Sequence, residues 1–545
     1  MVLPRLIPVL APKIADAFSA TSSFDGLLVI FSKLSSTVSL APLQPFQAAL
    51  NAVAKADASA DKATSLVVAP NAPGSRIILS PTGSLRGDVD DVRRFADAAR
   101  SGLAKSRAAG VKKPLVFLAN PFADASVAST PRMKRDYAKF LEVTLLGLFA
   151  EAYQPLQARE HFTAQGKPEE SFEEIGIAVE DGENAEQAIK FATAVEQGRR
   201  LAKDVGGSDP ERMTPLRAAE YVEAAFAGTD VKVSVMRDVD LIKKEYPFLH
   251  AVTRASLAVP RHFPAVVRLE YHAPDPSKVK ENVFLIGKGV TYDTGGLDIK
   301  AGGYMRGMSR DKCGATAAAG FLKVVSILKP THVNVIADLG FVRNSCGADG
   351  YVSDEILLSR AGVRALIGNT DAEGRMVMCD LLCAARERAL EPRYASVPTH
   401  LMTIATLTGH AVRAVGPYAI ALGNGPSREQ GIPDRLFKAG HLVGDPFEIS
   451  TLRREDYEFG APGAPTEDVV QSNDKASTMT NRGHQSPAAF MAVASGIAKH
   501  GLDSESPVSY THLDIAGSAE EGGKGLSLAA VTGSPVAALA QAFLA

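Results

Sequence analysis

No run of about eighteen consecutive apolar residues occurs in the 545-residue chain, so a membrane-spanning helix is excluded. Neither sign of charge is in excess: the net charge is −2 and the pI about 6.6, so no bulk basic field would draw the protein onto nucleic acid or an anionic membrane. Nucleic acid is therefore not an expected partner. Cysteine is scarce. Cys313, Cys346, Cys379 and Cys383 all fall in the second half and include no Cys-x-x-Cys, which points to a reduced intracellular compartment and hence to the cytoplasm. Internal repeats and extended low-complexity segments are also missing. Acidic residues are lacking at the start of the chain, where Arg5 and Lys13 precede the first acid, Asp16. That is the charge pattern of an organelle-targeting peptide, a mitochondrial one included, but Pro4, Pro8 and Pro12 would break the amphipathic helix such a peptide needs. A loose N-terminal arm is the expectation.

What is present reads as an ordinary globular chain, 46% hydrophobic and 22% charged, long enough for several buried cores. Short β-branched runs at 26–31, 65–68, 76–79 and 114–118 alternate with helical periodicity at 88–109 and 135–153. Such alternation predicts an N-terminal α/β domain over 1–182. A linker helix follows over 183–205, ending at Gly206-Gly207-Ser208-Asp209-Pro210, a cluster that marks a boundary. From 206 to 545 a second βα series begins, with buried strands at 283–286, 333–342 and 401–407 and helices at 311–327 and 376–388. The whole is expected to be a two-domain α/β protein.

Two stretches of the second half carry the chemistry. The first is Gly287-Lys288-Gly289-Val290-Thr291-Tyr292-Asp293-Thr294-Gly295-Gly296, running on to Lys300 and Asp311; the second is Asn369-Thr370-Asp371-Ala372-Glu373-Gly374-Arg375. They contain no His or Cys of the kind a lone structural zinc prefers. Asp293, Asp311, Asp371 and Glu373 gathered at one point would repel and take up protons unless cations neutralised them. An oxygen-rich set of this size suits two divalent ions, the equipment of amide and phosphate-ester hydrolysis. The glycine spacing is that of neither a Walker loop nor a dinucleotide fingerprint. The glycines would let the backbone turn sharply, placing Lys288, Asp293, Asp371 and Glu373 in turns at element ends. Asp371, Glu373 and Arg375 alternate, and in an extended segment all three would point to one side.

The segments 287–314 and 369–380 resemble the two metal-binding stretches of the leucyl aminopeptidase (cytosol aminopeptidase) family of dinuclear metallopeptidases, whose signature heptapeptide stands unchanged at 369–375. Weaker similarity continues through Ala405-Thr406-Leu407-Thr408-Gly409, 512–517 and Thr532-Gly533. The resemblance implies a C-terminal α/β/α catalytic domain with a mixed central sheet. Asp293 and Glu373 would bridge two divalent ions, zinc or manganese and also magnesium or cobalt. Asp371 would complete the more exchangeable site, and Lys288, as a neutral amine, with Asp311 the tighter one. It further implies Lys300 aimed at the scissile carbonyl, and a bicarbonate on Arg375 relaying a proton from the attacking metal-bound hydroxide. Met308, Thr406 and Gly409 would line the pocket for a leucine-like first side chain. Peptides are the implied substrates, and a homohexamer of paired trimers the implied assembly.

Four positions depart from the family pattern: Arg310 stands for a small residue, Lys312-Cys313 for Met-Gly, and His410 for alanine; Arg343 also stands where glutamate is common. If these side chains reach the pocket, small, polar or acidic first residues are expected in place of leucine. If they point elsewhere, leucine preference survives. A catalytically impaired structural paralogue of the same hexameric fold is the alternative reading.

Overall fold

The computed structural model describes residues 3–10, 13–123, 131–168, 171–179 and 182–545. The chain divides into two compact units, 1–197 with 441–444 and 198–440 with 445–545. Both lie on α/β patterns of the kind the alternation implies. The division falls inside a single helix, Gly182–Gly207.

The first unit is built on a six-stranded sheet. Its strands are Arg5–Val9 (β1), Gly26–Phe31 (β2), Ser65–Val68 (β3), Arg76–Pro81 (β4), Pro114–Leu118 (β5) and Glu174–Ala178 (β6), in the order β1-β6-β5-β2-β4-β3. Only the β3–β4 pair is antiparallel. Strands β2 and β5 are buried along their whole length, which is why they read as unbroken apolar runs with no alternation. Leu27 to Phe31 alone remove five large side chains from water, each stabilising by about 1.5–3 kcal/mol. The helices Arg93–Ala108 and Phe140–Ala152 cross closely enough that a Cβ on Gly147 would meet the Ala96 backbone at 2.7 Å. The expected loose arm is corrected here: Arg5–Val9 forms β1, pairing in parallel with β6. Pro8 is tolerated because β1 is an edge strand, where a missing ladder N–H costs nothing.

The second unit holds an eight-stranded mixed sheet. Its strands, with those of a small accessory sheet, are Lys232–Met236 (β7), Ala265–Tyr271 (β8), Glu281–Asp293 (β9), Val333–Asn344 (β10), Ile356–Leu358 (β11), Arg364–Leu366 (β12), Thr399–Ala405 (β13), Ala419–Gly423 (β14), Phe447–Thr451 (β15), Val469–Val470 (β16) and Ser509–Asp514 (β17). The main order is β15-β14-β17-β13-β9-β10-β8-β7; β11, β12 and β16 form the accessory sheet. The central β17–β13, β13–β9 and β9–β10 pairings are parallel, β17–β14, β10–β8 and β8–β7 are antiparallel, and the edge pair β14–β15 is parallel again.

Alternation along β9 places one helix on each face. A Cβ at Gly287 would meet Ala315 of helix Cys313–Leu328 at 2.4 Å, whereas Lys288 packs against Gly374 of helix Glu373–Ala389. Both helices are buried on nearly every side, the first almost wholly apolar and the second carrying the buried polar residues Glu373, Arg375, Asp380 and Arg388. Gly287 and Gly289 therefore serve close packing inside a strand, not a turn, since Gly289 would place a Cβ 2.5 Å from Gly340 O. Lys288 correspondingly lies within β9 and not in a turn. Gly295 and Gly296, with φ of +88° and +65°, do make the turn that follows Asp293. Among the described residues no helix is long and apolar enough to cross a membrane.

Candidate metal centre

Asp293 ends β9, and its carboxylate Oδ1 accepts hydrogen bonds from Gly295 N and from Asn344 Nδ2, each at 2.8 Å. Asn344 closes the neighbouring β10, opposite Asp293, after a register irregularity. The loop returns through Lys300, whose N–H donates to Thr294 O at 2.9 Å. Asp311 follows the single 3-10 turn Met308–Arg310 and accepts from Thr406 Oγ1 at 2.8 Å. The heptapeptide is folded, not extended: Asn369 Oδ1 accepts from Asp371 N at 2.8 Å, and Glu373 opens the helix Glu373–Ala389. The alternating arrangement expected of Asp371, Glu373 and Arg375 is thus replaced by a turn and a first helical turn. There the helix dipole favours the Glu373 carboxylate.

Ligand oxygens of Asp293, Asp311 and Glu373 lie within 4.8 Å of one another, and all three side chains are buried. Lys288 Nζ stands 2.8 Å from both Asp311 Oδ1 and Glu373 Oε1, and donates to Thr406 O at 3.1 Å. Lys300 Nζ lies 2.9 Å from Asp293 Oδ2 and pairs with Asp371, which is the most exposed of the four acids. Burial disfavours the Lys288 ammonium, but Asp311, Glu373 and Asp293 outweigh it and hold its pKa above the usual lysine range. Burial, and then the charge of Asp293, pushes the Asp371 carboxyl up to about 7. Burial likewise raises Asp311.

The donor set fits divalent cations. Asp311 Oδ2 and Glu373 Oε2 are buried with neither a hydrogen bond nor a cation against them, and such lone pairs are costly unless something fills them. Arg375, also buried, donates Nη1 to Gln471 O at 2.8 Å while its Nε has no hydrogen-bond partner.

All ten residues singled out from sequence, Lys288, Asp293, Lys300, Met308, Asp311, Asp371, Glu373, Arg375, Thr406 and Gly409, line one cavity of about 780 Å³. Of the departures, Arg310 also lines it. Lys312 does not: its ammonium is wholly buried, donating to Ser208 O at 3.1 Å and to Ser309 O. His410 turns to His484, the two Nδ1 atoms 2.8 Å apart, and Arg343 stacks over Tyr292. Sequence reasoning missed Asn344, Tyr351 and Gln471. Tyr351 OH donates to Thr370 O at 2.9 Å, and Gln471 Nε2 to the carbonyls of Asn369 and Ala372, each at 2.9 Å. A lone asparagine ending an apolar strand was the one available signal; nothing local distinguishes Tyr351 or Gln471.

The catalytic-domain model of the cytosol aminopeptidase family matches residues 200–540. A Caenorhabditis elegans protein, whose name gives aminopeptidase activity as provisional, is 38% identical over 521 residues, spanning 93% of this chain and 94% of its own. The fold resembles that of a leucyl aminopeptidase from Trypanosoma cruzi (TM-score 0.77, 20% identity, 99% and 97% of the two chains). It also resembles the bottromycin maturation enzyme BotP in complex with Mn (TM-score 0.71, 21% identity, 95% and 99%).

Proposed function

The chain belongs to the cytosol aminopeptidase family, and on that premise we propose that it hydrolyses the N-terminal residue from peptides with the aid of two divalent cations. The observation that carries this reading is the set of buried, unsatisfied carboxylate oxygens on Asp311 and Glu373, facing Asp293 across one cavity. Asp293 and Glu373 would be shared by both ions, with Lys288 and Asp311 completing one position and Asp371 the other. When bound, zinc, manganese, magnesium or cobalt would supply a Lewis acid for the peptide carbonyl and an acidified water.

The protein's own groups do the rest. Lys300 is tethered by its backbone bond to Thr294 and carries a cation into the cavity, where it can stabilise the oxyanion that develops on the scissile carbonyl. Arg375, with an unpartnered Nε, suits a small anion such as bicarbonate that would accept and pass on a proton. Filling Lys288 into a metal site requires loss of its proton, so loading should release protons and strengthen as pH rises. The first side chain of the peptide would lie against Met308, Thr406 and Gly409, which share the cavity with charged Arg310 and Glu520.

What supports an active enzyme over an inactive scaffold is that Lys312 and His410 are engaged away from the carboxylates. The test is elemental analysis together with release of the first residue from a dipeptide panel under Mn, Zn, Co and Mg. Two ions per chain and turnover are expected; no turnover with any metal overturns the proposal. A hexamer of 57.4 kDa chains, the assembly implied by the family, is checked by solution mass.

A further inference from the structure

We propose that Arg310 and Glu520 set the preference for the peptide's first residue, favouring uncharged hydrogen-bonding side chains, glutamine and asparagine foremost, over leucine. The inference rests on the aminopeptidase reading and specifies its substrate class. Three segments converge where that side chain would lie: the turn Met308–Arg310, Thr406 to Gly409, and Ala516 to Glu520. They are tied together by Thr406 Oγ1 donating to Asp311 at 2.8 Å, Ile515 N to Ala405 O at 2.8 Å, and Thr408 Oγ1 to Asp514 Oδ2 at 2.7 Å. The last two segments contribute small residues to the lining, Gly409, Ala516 and Ala519, which leave room beside the charged pair.

Arg310 Nε lies 3.3 Å from Glu520 Oε1, with the two side chains 14% and 34% exposed. The pair is not saturated. Arg310 spends Nη1 on Ser309 Oγ at 2.7 Å, while its buried Nε lacks a hydrogen bond in good geometry. A leucine side chain would strip water from both groups and return neither donor nor acceptor. A lysine or arginine would be drawn by Glu520 and repelled by Arg310, and an acidic side chain the reverse. A carboxamide satisfies both, its carbonyl accepting from the guanidinium and its NH₂ donating to the carboxylate.

The test uses the metal-loaded full chain on matched X-Gly dipeptides, with X glutamine, leucine, glutamate or lysine. Gln-Gly should exceed Leu-Gly in kcat/KM by roughly tenfold to a hundredfold, the ratio expected when a buried hydrogen-bonding group is left unfilled. Arg310→Ala should shift the ranking toward lysine and Glu520→Ala toward glutamate, two opposite changes that general damage to the fold would not produce. Leucine ranked first in the wild type, or a ranking unmoved by either variant, overturns the inference while leaving the aminopeptidase reading intact. Calorimetric binding of free glutamine against free leucine separates the two failures. If no dipeptide is cleaved under any metal yet glutamine binds tighter, the activity falls and the pocket assignment stands; tighter binding of leucine overturns the assignment.

Discussion

Asp338 and Asp293 are both carboxylates buried on central strands of the same sheet, each facing basic side chains, yet the two clusters are completed differently. Asp338, in mid-strand on β10, gives one oxygen to Arg268 Nε at 2.7 Å and the other to Arg388. Burial would raise its pKa, but Arg388 and Arg268 override burial and keep it below the usual aspartate value. All its partners are stiff guanidiniums on other elements, so the cluster is a clamp joining β8, β10 and the helix Glu373–Ala389. Around Asp293 the partners are lysines, with compact charge on flexible stems, and Asp311 and Glu373 retain oxygens with no hydrogen bond. Burial raises two of these acids, Asp311 and Asp371, instead of lowering them. Saturated charge marks structure, and unsaturated charge marks a place for ligand.

The largest expected effect breaks the comparison at both ends. Asp293→Ala should abolish measurable turnover and deplete bound metal while leaving the thermal midpoint of the metal-free protein nearly unchanged, because the residue's value lies in a ligand. Asp338→Ala should do the opposite, costing about 3–5 kcal/mol of stability by stranding the buried Arg388 and the half-buried Arg268, with metal content per folded chain preserved. Chemical denaturation and elemental analysis of both variants read the two axes. Equal destabilisation by both would erase the distinction.

Next in size is Lys300→Ala. Its implied task is to stabilise charge that exists only in the transition state, so turnover should drop by on the order of 100-fold to 1,000-fold with both ions retained. Loss of metal in this variant would instead make Lys300 part of the scaffold that holds Asp293 and Asp371.

Much of this was legible beforehand because it is local. The strands at 26–31, 65–68 and 114–118 carry unbroken apolar runs, and their limits agree with the structure. The carboxylates and lysines of the site sit in two short segments whose spacing shows in the sequence. What was not legible depends on distant partners. Arg5–Val9 becomes a strand only because β6, some 170 residues later, offers it an edge. Gly287 and Gly289 look like turn glycines until Ala315 and Gly340 arrive against them. Sequence alone leaves Lys312 and His410 free to reach the pocket or to turn away, and only the positions of Ser208 and His484 show where their side chains go. Glu520 carries no motif at all, and enters the cavity on the segment that leaves β17, whose end is tied to that of β13 through Ile515 N and Ala405 O.

The smallest effect concerns acid and again contrasts filled with unfilled groups. His512, on β17, donates or accepts through Nδ1 with Thr403 Oγ1 at 2.8 Å, while its Nε2 is buried without a partner. Burial, with His484 and Arg375 nearby, pulls its pKa down to about 3, and burial with His410 pulls His484 to about 4. Both folded values lie below the ordinary 6.5, so the stability these residues contribute is complete above pH 6.5. It is lost as pH falls toward 4 and then 3. Asp380 and Asp514, raised by burial to about 7 and about 6, act in the opposite direction, losing their contribution as pH rises through those values. The net curve therefore mixes both signs, and a difference between proteins isolates the histidine. His512→Asn should lose less stability than wild type between pH 6.5 and 5, by about 2 kcal/mol. Urea denaturation at the two pH values measures it, and an equal loss in the two proteins would show that His512 takes up its proton in the folded chain as readily as in the unfolded one.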